Sequence, residues 1–477
     1  MGEGRIKHRF DGTCGAPIEL MASRTAVLNV VGLTPRLIGA HTPKLRAAAD
    51  AGGLIRVKPV LPAVTCTAQS TYLTGLPPAG HGAVANGWYD RTLAEHQFWK
   101  QSNRIVGGEK LWEKCRARRP GFTCAKLFWW YNMYATVDWS ITPRPMYPAD
   151  GRKFFDVYAQ PLSLRDEIKR DLGPFPFPAF WGPMAGIASS EWIAKSAEWI
   201  EERHRPDLSL VYLPHLDYNL QRLGPDDPRL ADDLRAIDRV AGGLLDFYAQ
   251  RGVKTILLSE YGITAVRRSI ALNRVFRAKG WLTVKDELGL ELLDCGASKA
   301  FAIADHQVAH IYVNDPALLG AVRTAVENVE GVARVLGAEE KRAAGLAHER
   351  SGDLVAFSAE DAWFTYYYWD DDRKAPDFAR CVDIHRKYGY DPVELFVDPA
   401  LTLPKLKVAG KLLKKALGFR MLMDVIPLDA SLVKGSHGTL PADSGEWPVL
   451  IGTGTNAGDA PIEATAVCER LVRACVG

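Results

Sequence analysis

The stretch of chain with the most evident chemical potential is residues 59–90, PVLPAVTCTAQSTYLTGLPPAGHGAVANGWYD. A hydroxyl that follows a proline turn and begins a helix lies beside free backbone N–H groups and the positive end of the helix dipole. That position favours an anion and an activated oxygen nucleophile. The residues alone fit an ordinary capping threonine as well as a catalytic one. The hydroxyl candidates are Thr65, Thr67, Ser70, Thr71 and Thr74.

The elements that would position these hydroxyls are short apolar runs that alternate with amphipathic stretches. Apolar residues at helical spacing from Leu230 to Tyr248, followed by Gly252, predict a long helix, and residues 189–205 predict another. Such alternation predicts an α/β fold with a mostly parallel sheet between helices. In that architecture the chemistry lies in loops at the carboxyl ends of strands. The runs that predict buried strands are 25–31, 208–214, 254–260, 299–305 and 309–314.

Two regions interrupt this alternation. Residues 119–183 and 360–430 are rich in aromatic residues, and the first is also rich in proline. Both are interpreted as cap insertions over the active edge of a single domain at residues 24–477, with residues 1–23 as an N-terminal extension. Packed aromatic padding is the alternative, but long ordered insertions are often functional.

Composition excludes several classes of protein. The 477 residues carry a net charge of +3, so no basic excess predicts binding to nucleic acid. No apolar run approaches the roughly 18 residues of a transmembrane helix, and neither a secretory signal nor a polybasic run is evident. We therefore expect no membrane partner. The eight scattered cysteines predict reduced thiols and a cytoplasmic location.

Several motifs in order along the chain resemble the alkaline phosphatase superfamily, in particular its nucleotide pyrophosphatase/phosphodiesterase branch. Within residues 59–90, TGLPP (74–78) matches the end of the helix that carries the family's threonine nucleophile, and His81-Gly82 matches the HG motif that follows. The resemblance implies that Thr65 is the nucleophile and that Asn86 contacts the substrate phosphate. It also implies a parallel sheet between helices and two divalent ions, usually zinc.

The family's metal-ligand positions are only partly kept in this chain. Asp217 and His437 match the family's residue types, and Glu260 replaces an aspartate with a longer carboxylate. Three further ligand positions fall on residues that zinc does not favour. Those three are Val31, Gln221 and Tyr261.

We therefore expect zero or one bound divalent ion in preference to two, and zinc is the candidate. The expected ligands are Asp217, Glu260 and His437. Gln221 and Tyr261 are doubtful ligands. Other groups that would complete an altered site remain open. These are His215, the Asp305-His306 pair, the Asp383-x-His385 pair, and basic residues of the insertions acting as a clamp.

The resemblance implies a phosphoric-ester hydrolase of the nucleotide pyrophosphatase/phosphodiesterase type. Its substrate would be a small phosphorylated metabolite: a phosphodiester, a pyrophosphate or a phosphomonoester. The alternative is a non-hydrolytic or repurposed relative that binds such a metabolite. The sequence predicts no oligomeric state.

Overall fold

A computed structural model describes residues 24–150, 152–453 and 460–477. The predicted extension at residues 1–23 lies outside the described residues. The strands of the described chain are β1 (Thr25–Val30), β2 (Leu54–Lys58), β3 (Gly87–Asp90), β4 (Glu95–Phe98), β5 (Cys124–Leu127), β6 (Trp139–Pro143), β7 (Val157–Gln160), β8 (Leu208–Leu213), β9 (Lys254–Leu258), β10 (Thr264–Ala265), β11 (Arg268–Ile270), β12 (Val284–Glu287), β13 (Leu290–Leu293), β14 (Ala300–Asp305), β15 (Val308–Val313), β16 (Val332–Leu336), β17 (Leu354–Ser358), β18 (Ala362–Phe364), β19 (Gly435–Ser436), β20 (Val449–Ile451) and β21 (Ile462–Glu463).

The helices are distributed along the whole described chain. They are α1 (Pro43–Gly52), α2 (Thr65–Thr74), α3 (Pro78–His81), α4 (Leu111–Arg118), α5 (Ser163–Leu172), α6 (Ile187–His204), α7 (His215–Leu223), α8 (Leu230–Ala249), α9 (Leu272–Ala278), α10 (Leu319–Glu327), α11 (Ala338–Ala343), α12 (Pro404–Ala416) and α13 (Ala466–Val476).

A nine-stranded sheet forms the centre of the molecule, in the order β21-β2-β20-β9-β1-β8-β5-β6-β7. The middle strands β9, β1, β8, β5 and β6 are parallel, whereas β20 and β7 run antiparallel to their neighbours. Every residue of β1 and β8 is buried, as expected for strands covered on both faces. Two groups of helices pack around this sheet: α1, α5, α6 and α8 contact one another in one group, and α2, α4 and α13 do so in the other. The predicted α/β fold with a mostly parallel sheet is confirmed.

The apolar runs at 299–305 and 309–314 form β14 and β15, but these strands do not join the central sheet. They make an antiparallel hairpin within a second, four-stranded sheet, in the order β14-β15-β17-β16. The two strands are joined by only His306 and Gln307, a connection far too short for the crossover that parallel strands require.

The two expected cap insertions differ in their relation to the central sheet. Residues 119–183 supply β5, β6 and β7, so any cap role in that segment falls to the loops around these strands. Residues 360–430 contribute no strand to the central sheet. The division of the chain into extension, domain and caps stays a prediction.

Two further expectations concern the protein's surroundings. The described cysteines, all but Cys14, are buried free thiols. None of the helices in the described ranges is both long and apolar enough to cross a bilayer.

One buried carboxylate ties two helices of the first group together, and it yields a test of the fold. Asp238 of α8 accepts the backbone N–H groups of Lys44 (3.2 Å) and Leu45 (2.9 Å) in the first turn of α1. We expect Asp238→Ala to lower the free energy of unfolding by about 1–2 kcal/mol, because these N–H groups lose their acceptor. Asp232→Ala is the matched control, since that side chain is 87% exposed in a surface ion pair on the same helix. Equal thermal unfolding midpoints for the two variants would contradict the role of Asp238.

Candidate active site

Thr65 is the first residue of α2, whose ten residues are all buried. The loop before it is anchored to the loop that carries His437. His437 Nδ1 donates to Ala63 O at 2.7 Å, and Ala63 N donates to Gly438 O at 3.0 Å. Gly438 has φ +128°, and a Cβ there would lie 3.0 Å from Gln307 N, so glycine is required for this close approach. The predicted nucleophile and the predicted histidine are therefore neighbours.

A chain of hydrogen bonds runs from Thr65 to Asp217. Thr65 Oγ1 lies 3.1 Å from the hydroxyl of Tyr261, and that hydroxyl donates to Asp217 Oδ1 at 3.2 Å. The phenol has one proton, so while it donates to Asp217 it accepts the proton of Thr65. Gln221 Nε2 donates to the other carboxylate oxygen of Asp217 at 2.7 Å. Burial raises the pKa of Asp217 to about 7 although both hydrogen bonds oppose the shift.

Glu260 occupies a second buried carboxylate position, just after β9. Its Oε1 accepts hydrogen bonds from Asn29 Nδ2 (2.5 Å) and Gln69 Nε2 (2.6 Å), and its Oε2 has no partner among the described residues. Burial raises the pKa of Glu260 to about 8, and the charge of Asp217 adds to that effect. A carboxyl group in this state holds a proton near neutral pH and can donate it in a hydrogen bond.

Asn86 is close to the start of α2, but its polar groups contact other protein groups. Its Oδ1 accepts from Cys66 N at 2.9 Å, and its Nδ2 donates to Asp305 Oδ1 at 3.1 Å. Its backbone N–H donates to the other carboxylate oxygen of Asp305 at 2.7 Å. Direct contact between Asn86 and a phosphate stays a prediction, and it would use the second proton of Nδ2, since the bond to Asp305 takes only one of the two.

Four rings stack in a row across the site. The ring centroids of Tyr261 and His437 are 3.5 Å apart, those of His437 and His306 are 3.8 Å apart, and those of His306 and Tyr390 are 3.6 Å apart. The hydroxyl of Tyr390 donates to Gln221 Oε1 at 3.0 Å. Tyr390 belongs to the segment 360–430, so this segment contributes a side chain to the site.

The donors around Asp217 do not match the two divalent ions that the family implies. Both oxygens of Asp217 and Oε1 of Glu260 accept hydrogen bonds from amide or phenol groups, which cannot coordinate a metal through their N–H or O–H protons. Glu260 Oε2 and His437 Nε2 are buried without a hydrogen-bond partner among the described residues. Among the residues that the structure describes, no group of three or more His, Cys, Asp or Glu side chains is placed to hold an ion. The ligand set of Asp217, Glu260 and His437 and the number of bound ions both stay predictions.

Of the other groups considered from the sequence, only Asp305 and His306 lie at the site. His306 Nδ1 donates to Asp305 Oδ1 at 2.7 Å, and φ of His306 is +58°, in the left-handed region. His215 instead pairs with Asp233 at 3.1 Å. The Asp383-x-His385 pair makes its hydrogen bonds elsewhere. His385 Nδ1 donates to the carbonyl of Phe98, and the backbone N–H of Asp383 donates to a carboxylate oxygen of Glu394. Neither bond involves Thr65, Tyr261 or Asp217.

Sequence reasoning missed three residues of the site: Asn29, Gln69 and Tyr390. Asn29 was detectable in principle, because it is the one amide in the apolar run TAVLNVV and faces the same way as Val31. Gln69 follows Thr65 by four residues, which places it on the same side of α2. Tyr390 carried no local signal, since its role depends on where residues 360–430 fold back.

Known proteins resemble this chain in sequence and in fold. A sequence model of the family described as type I phosphodiesterase / nucleotide pyrophosphatase matches residues 25–391. The chain belongs to this family. The predicted superfamily and branch are thereby confirmed.

Individual relatives are more distant. An uncharacterised pyrophosphatase/phosphodiesterase of Schizosaccharomyces pombe is 27% identical over 229 residues, which make up 46% of this chain and 40% of that protein. Phosphonoacetate hydrolase of Sinorhizobium meliloti, solved with phosphonoformate, has a TM-score of 0.62 at 15% identity over 95% of this chain and 96% of that one. Murine ectonucleotide pyrophosphatase/phosphodiesterase 5 has a TM-score of 0.57 at 16% identity over 95% of each chain. At such identities, the structural likenesses show the fold alone.

The donor chemistry of this site leads to a prediction about metal content. Restoring the family residues together, by Val31→Asp, Gln221→His, Glu260→Asp and Tyr261→His, should raise the zinc bound per chain, because ligands then replace the amide and phenol donors. Each single restoration should do little, since most of the set is still missing. Zinc is measured by elemental mass spectrometry after dialysis against the metal. Two zinc ions per chain in the parent protein would contradict the assignment.

Proposed function

We propose that this family member hydrolyses a phosphoric ester of a small metabolite, with Thr65 as its nucleophile. The observation that carries the proposal is the hydrogen-bonded chain from Thr65 through Tyr261 to Asp217, at the first turn of a buried helix. Membership of the family gives the reaction class. The nucleophile is supported by analogy, because a threonine-to-alanine variant of murine ectonucleotide pyrophosphatase/phosphodiesterase 5, solved in complex with AMP, is inactive.

In the proposed first step, Thr65 Oγ1 attacks phosphorus and the bond from phosphorus to the leaving oxygen breaks, so that the leaving group departs with the bonding electrons and takes a proton from solvent water. The threonine proton passes to the Tyr261 hydroxyl while the phenol proton passes to Asp217. Burial and the neighbouring carboxylates raise the pKa of Tyr261 well above its usual range, so the phenol relays a proton and does not persist as a phenolate. Asp217, with a pKa of about 7, accepts that proton near neutral pH.

In the second step, water attacks phosphorus, one of its protons passes to solvent and the other stays on the phosphate product. The bond to Thr65 Oγ1 breaks, and Asp217 returns its proton to the threonine through Tyr261. Charge on the phosphoryl oxygens needs hydrogen-bond donors in a buried site. Glu260 is one candidate donor, since its partner-free Oε2 holds a proton near neutral pH. The backbone N–H groups of Thr65 and Thr67 in the first turn of α2 are other candidates, whereas that of Cys66 already donates to Asn86 Oδ1.

The substrate would be a phosphodiester, a pyrophosphate or a phosphomonoester. Structures similar in fold contain small phosphorus compounds: phosphonoformate in the bacterial hydrolase and AMP in the murine variant. Here, the stacked rings of His306 and Tyr390 offer a flat surface to a base or another planar group once the stack opens. A cytoplasmic location stays a prediction from cysteine usage.

Removal of the nucleophile tests the proposal directly. Thr65→Ala should lower the turnover of bis(p-nitrophenyl) phosphate and p-nitrophenyl phosphate by several orders of magnitude. The fold should survive, because one hydroxyl contributes roughly 1 kcal/mol to stability. Thr67→Ala is the matched control, since Thr67 Oγ1 donates to the carbonyl of Ala83 and not to the Thr65 chain. A phosphorylated peptide containing Thr65 should be trapped by acid quench and identified by mass spectrometry.

Two outcomes would contradict this reading. Full activity in Thr65→Ala would move the nucleophile to another group. Absence of turnover in the parent protein, together with binding of AMP or inorganic phosphate in calorimetry, would indicate a non-hydrolytic relative.

The relay has its own test. Tyr261→Phe removes the hydroxyl that joins Thr65 to Asp217, so kcat should fall by about a hundredfold, within the usual contribution of acid–base groups, while KM changes little. Tyr312→Phe is the matched control, because its buried hydroxyl donates to the carbonyl of Arg350 in another part of the molecule. An unchanged kcat in Tyr261→Phe would exclude the relay but leave Thr65 as the nucleophile.

A further inference from the structure

Helix α12 lies on the surface and touches the rest of the chain along one narrow side. Val408 packs against an apolar cluster that includes Val425, and Lys407 and Lys411 both pair with Asp424. The half-buried positions of the helix, 404, 407, 408 and 411, follow helical spacing, and its other positions are exposed. This arrangement defines an inward side and a wide outward side.

The outward side of α12 is apolar. Leu406, Leu413 and Leu417 are 66%, 61% and 65% exposed, and their spacing of seven and four residues puts them in one stripe. The chain just beyond the helix continues the pattern with Phe419 and Leu422. Of the nineteen large apolar or aromatic side chains that are exposed in the described chain, seven lie between residues 403 and 422. Isolated exposed leucines are ordinary, but such a concentration marks an interaction surface.

Positive charge borders this stripe. The helix PKLKVAGKLLKKA contains five lysines and no acidic residue. At 100° per residue, Lys405 falls on one flank of the leucine stripe and Lys414 on the other, while Lys415 lies in the last turn. These three lysines form no ion pair with any residue in the described ranges. Their charges are therefore available to an anionic partner.

A second segment of the described chain is also exposed and apolar. Met146 and Phe154 pair as an antiparallel bridge, and both are exposed together with Tyr147 and Phe155. Lys153 lies over the rings of Tyr147 and Phe155. Exposed apolar side chains accompanied by basic ones thus recur on a second segment.

We propose that α12 and the chain that follows it to Leu422 attach this protein to the surface of a bilayer containing anionic lipids. The leucine stripe enters the boundary between headgroups and acyl chains, and the lysines contact lipid phosphates. A ridge of leucines with lysines on both flanks suits a flat interface. A two-fold contact with a second copy is less suitable, because it would bring the lysines of both copies together.

The proposal replaces the expectation of no membrane partner. That expectation rested on the absence of a membrane-spanning segment and of a polybasic run. The five lysines of α12 do not form a continuous basic run, because apolar residues interrupt them. Attachment by a surface helix does not require any helix to cross the bilayer. It is also independent of the proposed chemistry at Thr65.

Vesicle flotation tests the attachment. The full chain should float with vesicles of phosphatidylcholine mixed with phosphatidylglycerol, should float much less with phosphatidylcholine alone, and should be released by high salt. For the triple variant Leu406→Gln/Leu413→Gln/Leu417→Gln, the fraction of protein bound to vesicles should fall roughly tenfold or more. Lys405→Glu/Lys414→Glu/Lys415→Glu should lose binding to the anionic vesicles. The matched control is Leu93→Gln/Leu162→Gln/Leu288→Gln, three leucines elsewhere that are as exposed or more so, which should bind like the parent.

All the substituted side chains are exposed, so the variants should show the parent's circular dichroism and unfolding midpoint, and loss of binding then reports on the surface. Equal binding by the leucine variant and the parent would overturn the proposal. So would binding that is indifferent to lipid charge and to salt. If the parent ignores vesicles but light scattering shows a dimer that the leucine variant lacks, the stripe is an interface between copies and the proposal is wrong.

Discussion

Two carboxylates, Asp217 and Glu260, lie buried just beyond the ends of β8 and β9. Among the described residues, their hydrogen-bond donors are amide and phenol groups and not Lys or Arg side chains. A buried carboxylate must gain a proton or collect several hydrogen-bond donors, since leaving it charged and unpaired is very unfavourable. Here both remedies operate together. The donors come from β1, α2, α7 and the loop after β9, so satisfying these two groups joins the sheet to the helix that carries Thr65. The position of the threonine hydroxyl is a consequence of that constraint.

The departures from the family's ligand pattern make physical sense as a set. A metal ligand offers a lone pair, whereas an amide N–H or a phenol O–H offers a proton. Gln221 and Tyr261 stand at positions where the family resemblance implies histidines, and each donates to Asp217. Val31 adds no third buried carboxylate, which would need donors of its own. A single substitution of this kind would leave a charge without a partner, whereas together they supply hydrogen-bond donors to both oxygens of Asp217.

The sequence was most informative where a local pattern decides the structure. Continuous apolar runs predicted β1, β8 and β9, and the carboxyl ends of these strands meet, which brought the predicted residues close to Thr65. It was least informative where a pairing joins distant parts of the chain. The bond from Asn29 to Glu260 spans 231 residues, and the contact of Tyr390 with Gln221 spans 169. Helical periodicity likewise shows that α12 has an apolar face but not whether that face is turned to the core or to solvent.

Buried ion pairs stabilise the fold of residues 360–430, the segment that contributes Tyr390 to the site. Lys387 Nζ contacts Asp391 Oδ2 at 2.7 Å and Glu394 Oε1 at 2.8 Å, and Trp181 Nε1 donates to Glu394 Oε2 at 2.5 Å. All three charged groups lie within residues 360–430, so their attraction stiffens the segment itself, and the bond from Trp181 ties the cluster to another part of the chain. Rotation of the Tyr390 ring would break its hydrogen bond to Gln221 and its contacts with the rings of Trp99, Trp181 and His306. Residues 387–394 therefore form a stiff unit, and Tyr390 and Glu394 join it to the rest of the site through Gln221 and Trp181.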